Sequence, residues 1–346
     1  MNTSLKLLAG MIVAILTVVI YSTQRPNWII ELAVDSQIEA NINAQEISDT
    51  TFELLFCGTG SPQHHSDRGQ PCLAIVAAGR LFLFDAGQGA AQRLNEFGAP
   101  ILHLDTVFLT HLHSDHMSGL GEVLHNGWLY GRQHLVDVIG PPGTEKVLAG
   151  FQQVYEDDLH ERQRVLGEEY LNSTSGMGRG LDVKIEALDL AVVYESGGVV
   201  IKAFQVNHPD WPYAYGYRIE YEGKTVVVSG DTAYTPSIGI HAKGADVLIH
   251  EALNSDLMTM GGRLLKKHGS VIDEARLDLI SSVHTPTELV AKSADEADAG
   301  TLIVSHLIPP IPAIGFIEKY FVQGMDKVYD GEIIVARDGM RIKLID

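Results

Sequence analysis

The 346-residue chain carries 44 acidic against 25 basic residues, a formal net charge of −19. That length allows one large α/β unit or two average domains with a substantial core. The acidity argues against a nucleic-acid partner, because binding a polyanion relies on Lys and Arg to neutralise phosphates.

Residues 1 to 25 place Lys6 before an uncharged apolar run from Leu7 to Tyr21. As a helix that run spans roughly 22 Å, short of the ~30 Å hydrocarbon core. It reads as a signal peptide or a short N-terminal membrane anchor, so export to the periplasm or beyond is the expectation. Residues 26–50 are polar and mixed, a linker or short helix, and the functional domain is expected over 51–346. Cys57 and Cys72 lie in no CxxC pattern, which argues against redox chemistry. A disulfide between them would close a loop of ~15 residues and contribute about 3 kcal/mol; two free thiols in adjacent strands fit the sequence equally well.

β-rich runs open the domain: TFELLFCG at 51–58, CLAIVAAGRLFLFDAG at 72–87 bent at Gly79-Arg80 into a hairpin, and TVFLT at 106–110. Residues 143–166 read as a long helix with Leu148, Phe151, Val154 and Tyr155 on one face. A second β-rich half follows, with VVIKAFQVNH, YAYGYRIEYEGKTVVVSGDT, ADVLIHE and TLIVSH. In VHTPTELVAKSADEADAG, Thr285 reads as the N-cap, Pro286 as the first helical residue, Glu288 as the capping-box partner and Gly300 as the stop.

The strand TVFLT delivers FLTHLHSDHMSGL, where His111, His113, Asp115 and His116 fall within six positions. His111 and His113 alternate along an extended segment, so both rings can face one way. Asp115 and His116 follow as the chain turns and bring a further pair of ligands beside them. Imidazole plus carboxylate without thiolate suits Zn²⁺ in a catalytic role, with Mn²⁺ or Fe²⁺ also accommodated.

The cluster THLHSDH resembles the signature of the metallo-β-lactamase-fold hydrolases, in the ribonuclease Z-like branch. The resemblance extends over about residues 52–340 through GTGSP, FDAGQGAAQRL, SGDT, DVLIHEA, HTPTE and SHLIP. It implies an α/β fold, a four-layer αββα sandwich, with two Zn²⁺ per chain and a homodimer. It further implies one ion on His111, His113 and His208, another on Asp115, His116 and His306, and Asp231 bridging them. By the same resemblance Asp115 orients or deprotonates the attacking water, and His284 protonates the leaving oxygen. Glu251, in a segment similar to the family's HEAT box, would hold that imidazole charged.

Ribonuclease Z enzymes that process tRNA carry a long Gly/Pro-rich arm between the third histidine and the bridging aspartate. Here a single hairpin separates His208 from Asp231. The segment 119–162 looks like the arylsulfatase-type subgroup, with Trp128, Tyr130 and Arg132 as candidates to line an aromatic substrate pocket. The sequence-based expectation is an exported, arylsulfatase-like dinuclear hydrolase of small sulfate or phosphate esters, membrane-associated through its N-terminal segment. The alternatives are a ribonuclease Z-type tRNA 3′-processing enzyme or other phosphodiesterase, and a catalytically silent metal-binding sensor or partner protein.

Overall fold

The computed structural model describes residue 23 and residues 27–186, 189–209, 211–270 and 274–345. The chain divides into two compact units, Met1–Glu46 and Ile47–Asp346. In the first, helix α1 (Trp28–Ala44) occupies most of the expected linker and exposes Ile30, Val34, Ile38 and Ile42 at four-residue spacing. The apolar run Leu7–Tyr21 lies outside the described residues. Among the described residues no helix is long and apolar enough to cross a membrane.

The second unit contains two seven-stranded mixed sheets. The first takes β1 (Phe52–Gly58), β2 (Cys72–Ala77), β3 (Arg80–Phe84), β4 (Leu104–Phe108), β5 (Asp137–Gly140) and β6 (Arg179–Asp182) in chain order. The second takes β7 (Leu190–Ser196), β8 (Val199–Gln205), β9 (Tyr215–Tyr221), β10 (Lys224–Val228), β11 (Val247–Leu253), β12 (Thr301–Ile308) and β13 (Glu332–Val335). The final strand, β14 (Arg341–Ile345), returns to pair with β1. Each sheet begins as antiparallel neighbours and continues as parallel ones, from β3 to β6 and from β10 to β13. Parallel neighbours need crossovers, and those crossovers carry the helices.

Helices α2 (Ala90–Glu96), α3 (Ser114–Met117), α4 (Leu120–Leu129) and α5 (Thr144–Leu166) belong to the first half. The second half has α6 (Pro236–His241), α7 (Ser255–Lys267), α8 (Glu274–Val283), α9 (Thr287–Ala297) and α10 (Gly315–Phe321). One core lies between the sheets, where Phe82, Phe84 and Phe108 meet Tyr217, Ile219 and Ile303. Separate apolar layers sit under the two helical faces. The expected αββα sandwich is thus the observed fold.

Three two-residue hairpin turns, at Ala78-Gly79, Gly197-Gly198 and Glu222-Gly223, follow from backbone chemistry. All six residues have positive φ, the conformation that matches the twist of two-residue hairpins. Cys57 and Cys72 form a disulfide that ties the end of β1 to the start of β2.

Three local readings differ from the sequence expectation. Val154 of α5 is 75% exposed, because only Leu148 is fully covered and Phe151 and Tyr155 are partly so. Thr285 does not cap α9; its hydroxyl donates to the Thr232 carbonyl and its amide to Glu251, and the helix begins at Thr287. The same helix stops at Asp298 in a left-handed conformation, two residues before Gly300. Gly300 is needed instead for close packing, since a Cβ there would lie 2.8 Å from the Asp246 carbonyl oxygen.

Candidate metal centre

The candidate residues converge at the carboxyl ends of the parallel strands, where open α/β sheets place their ligands. Asp85 follows β3, His111 to His116 follow β4, Asp231 follows β10, and Glu251 and His306 lie in β11 and β12. Two hydrogen bonds from β9 fasten the histidine loop: the Tyr215 amide donates to the Thr110 carbonyl at 2.9 Å and the Tyr217 hydroxyl to Leu109 at 2.7 Å.

His306 reaches the cluster through a bulge. Glu251 pairs with Ser305 and Ala252 with Leu307, so His306 is the extra residue, with φ of 45°. A bulge re-aims one side chain, and a non-glycine residue there bears strain of about 1 kcal/mol or more.

Donor atoms group in overlapping trios, each within 4.8 Å: His111, His113 and His208; His111, His116 and Asp231; Asp115, His116 and His306; Asp231, His284 and His306. The seven expected ligand residues are therefore brought together, and Asp231 stands between the two histidine sets. Its Oδ2 is 3.3 Å from His116 Nε2, 3.3 Å from His306 Nε2 and 4.0 Å from His111 Nε2.

Divalent cations fit this arrangement. His116 Nε2 is buried and makes no hydrogen bond, although two carboxylates lie close to it. His111 Nε2 and His113 Nδ1 approach to 3.0 Å, two basic nitrogens aimed at one point. Burial, reinforced by the neighbouring His116, holds the His111 imidazole neutral, its pKa well below the usual histidine range. Burial also lowers the His208 pKa. Asp115 and Asp231 resist burial, which would neutralise them; the surrounding imidazoles keep both well below the ordinary carboxylate range. Neutral imidazole, as at His111 and His208, and ionised carboxylate are the ligand states that a metal requires. Burial works against a charged His116, but Asp231, Asp85 and Asp115 together hold its pKa well above the usual histidine value, so this ring would yield its Nε2 proton to a bound metal.

Asp85 was passed over in the sequence, although its motif was noted. With φ of 58° it turns its carboxylate under the cluster, where Oδ2 accepts from His116 Nδ1 at 2.7 Å and from the Thr110 hydroxyl at 2.9 Å. Its Oδ1 accepts from the Thr110 amide at 2.8 Å. The bond fixes the proton on Nδ1 and leaves Nε2 as the donor. Such carboxylate support raises ligand basicity, so Asp85→Asn is expected to weaken metal retention roughly 10- to 100-fold. Zinc competition against a chromogenic chelator measures this, and unchanged affinity contradicts it. Trp211, also missed, lies edge-on to His113 with ring centroids 5.2 Å apart; its HPDW context gave no signal.

Next to the cluster, His284 Nδ1 lies 3.5 Å from Glu251 Oε2. Burial disfavours the imidazolium, yet the Glu251 carboxylate prevails and pushes the pKa up to about 9.

The three residues expected to line an aromatic pocket do not do so together: a cavity of about 710 Å³ beside α5 is lined by Trp128 but by neither Tyr130 nor Arg132. Arg132 is buried and donates to the carbonyls of Leu124, Ser175 and Gly176. Trp128 is buried too, with its indole N–H on the Asn172 carbonyl. Both side chains fasten segment 172–176 to α4, so their polar groups are engaged by backbone; Tyr130 is 48% exposed beside them.

Residues 80–307 match the family described as Beta-lactamase superfamily domain. Among curated relatives, ribonuclease Z of Mycobacterium bovis (strain BCG / Pasteur 1173P2) is 30% identical over 296 residues, covering 85% of this chain and 98% of the relative. Ribonuclease Z of Mycobacterium marinum is 30% identical over 265 residues, 76% of this chain and 88% of the relative. Similar solved structures include the metallo-beta-lactamase fold protein YhfI from Bacillus subtilis, at TM-score 0.59 and 20% identity over 85% of this chain and 99% of the other. Human tRNase Z, short form, superposes at TM-score 0.57 and 19% identity over 84% and 98%.

These relatives overturn three expectations. The arylsulfatase-like reading is corrected, since relatives matched over nearly their whole length are ribonucleases. The exclusion of nucleic acid is corrected with it: net charge sums over the entire surface, whereas a nucleic acid meets one face. Export and membrane anchoring are corrected as well. They rested on the first 25 residues alone, and the aligned relatives carry an RNA-processing name.

Proposed function

We propose, because the chain belongs to the β-lactamase superfamily, that it is a metal-dependent phosphodiesterase that cleaves RNA, in the manner of ribonuclease Z processing the 3′ end of precursor tRNA. The observation that carries this reading is the convergence of two donor trios, with Asp231 between them, beside an imidazole held charged by Glu251. The ribonuclease Z relatives support phosphodiester over sulfate ester as the bond broken.

His111, His113 and His208 would hold one divalent ion, and Asp115, His116 and His306 a second, with Asp231 reaching both; zinc suits these donors best, and Mn²⁺ or Fe²⁺ are compatible. When bound, such ions acidify water and stabilise charge on a phosphoryl oxygen. The protein's own groups supply the rest. Asp115, kept ionised by His116 and His306, orients the attacking water. His284 carries a proton on the ring nitrogen turned away from Glu251 and gives it to the leaving oxygen. The buried Glu251 positions that ring and accepts from the Thr285 amide at 2.7 Å, which fixes the entry to α9.

A substrate panel tests this reading. The metal-loaded chain is expected to cleave precursor tRNA and bis-p-nitrophenyl phosphate and to leave p-nitrophenyl sulfate intact. Sulfate hydrolysis without RNA cleavage contradicts it.

A further inference from the structure

Arg68 is a buried cation with no part in the hydrolysis itself. It lies in the loop from β1 to β2, after the GTGSP motif, and its side chain is fully covered. The disulfide Cys57–Cys72 closes the base of that loop. Its two limbs run close together: the Gly60 amide donates to the Gly69 carbonyl at 2.7 Å, and a Cβ on Gly58 would lie 1.8 Å from the Gln70 carbonyl oxygen.

A charge taken out of water must be paired and hydrogen-bonded throughout, and all three nitrogens of this guanidinium donate. Nε donates to the Ile311 carbonyl at 2.8 Å, Nη1 to the Thr59 hydroxyl at 2.9 Å and to the Ala336 carbonyl, and Nη2 to Glu318 Oε1 at 2.8 Å. Thr59 is fixed from a second direction, because its hydroxyl and its amide both donate to Asp338 Oδ1, at 2.7 and 3.0 Å.

Thr59 and Ala336 share a further property: each grips β12 beside His306. The Leu307 amide donates to the Thr59 carbonyl at 3.2 Å, and the Ala336 amide donates to the Val304 carbonyl at 2.9 Å. These bonds lie on either side of the bulged residue, where the register with β11 shifts. A left-handed residue other than glycine persists only where its surroundings over-determine it. His306 has that conformation, and its Nε2 stands 3.4 Å from Asp115 Oδ2 and 3.3 Å from Asp231 Oδ2.

We infer that Arg68 and Thr59 are positioning residues of the metal centre. By joining the two segments that grip β12 before and after His306, they hold that imidazole where it can share an ion with Asp115 and His116. This inference rests on the reading of the cluster as a metal centre. A brace that served folding alone would make the same bonds, and the two roles differ in one respect: only the positioning role acts through His306.

The test titrates zinc into the chelator-stripped full-length chain against a chromogenic chelator, for Thr59→Val, Thr59→Ser and Arg68→Lys, each with and without His306→Ala. Thr59→Val keeps the shape and removes the hydroxyl. It is expected to weaken, by about tenfold, the ion that His306→Ala weakens most. Thr59→Ser retains the hydroxyl and should bind zinc within about twofold of wild type. Arg68→Lys keeps the charge opposite Glu318, but one amino group cannot span Thr59, Ala336 and Ile311, so a loss at least as large is expected; it carries the test independently of Thr59→Val. With His306 replaced, both losses should shrink to less than about twofold, because residues that act through one side chain are not additive. Circular dichroism and urea midpoints follow folding in every variant. Unchanged affinity in Thr59→Val and Arg68→Lys, a loss in Thr59→Ser as large as in Thr59→Val, or equal losses with and without His306 overturn the inference. Wild-type protein that binds no zinc overturns the metal-centre reading itself, and this inference with it.

Discussion

An Asp231→Ala variant is expected to lose RNA cleavage by about three orders of magnitude or more, equivalent to roughly 4 kcal/mol of transition-state stabilisation. It is also expected to purify with less bound metal. Asp231 is 4% exposed, and its Oδ2 lies within 3.3 Å of both His116 and His306 and 4.0 Å from His111. Asp115 faces His116 and His306 but shares no donor trio with His111. Removing Asp231 therefore separates the two donor sets, whereas removing a single histidine weakens one of them. Asp231→Asn separates charge from shape, because it keeps the volume and one oxygen but removes the anion that the imidazoles hold ionised. Metal content by mass spectrometry, with circular dichroism as a control for folding, checks the result. Full turnover and full metal occupancy in the alanine variant would contradict the bridging role.

The second large effect falls on the acid limb of the reaction. His284→Ala should lower kcat by about 10²- to 10⁴-fold, the range of a positioned general acid. The pH profile separates that role from a structural one. Glu251 raises the His284 pKa to about 9, so the imidazolium is present at neutral pH and kcat should fall as pH rises through about 9. Glu251→Gln removes the anion but keeps an oxygen for the Thr285 amide, so the falling limb should move down toward the ordinary histidine value near 6.5. The linkage has the same sign for stability. A raised imidazole pKa stabilises the fold fully below its unfolded value, and the contribution fades as pH rises through about 9. An alkaline limb unmoved by Glu251→Gln contradicts the pairing.

Much of this site was legible because its chemistry is local. His111, His113, Asp115 and His116 lie within six residues at the end of one strand, and the polar ends of β10 and β12 marked Asp231 and His306 in otherwise apolar runs. The sandwich was legible through the family resemblance that THLHSDH and its companion motifs carry, with the short apolar runs placing its strands. Asp85 escaped because its role depends on a left-handed turn that aims it at a residue 31 positions away. Thr285 resembled a cap because its pattern is correct locally, but the buried Glu251 and the Thr232 carbonyl compete for its amide and hydroxyl. Trp128 and Arg132 were misread for the opposite reason. Aromatic and guanidinium groups suit a ligand pocket as well as a core, and only the fold shows that the carbonyls of residues 172–176 engage them. The charge argument failed in its averaging, since a net charge sums over the entire surface whereas a nucleic acid meets one face.

The central claim is that the residues gathered at the strand ends form a two-metal centre that hydrolyses RNA. Its most direct test is a zinc titration of chelator-stripped protein, with cleavage of precursor tRNA read at each step. The structure predicts no cleavage by the stripped chain and a rise that saturates near two ions per chain. Undiminished cleavage by the stripped protein, or no cleavage at full occupancy, would contradict it.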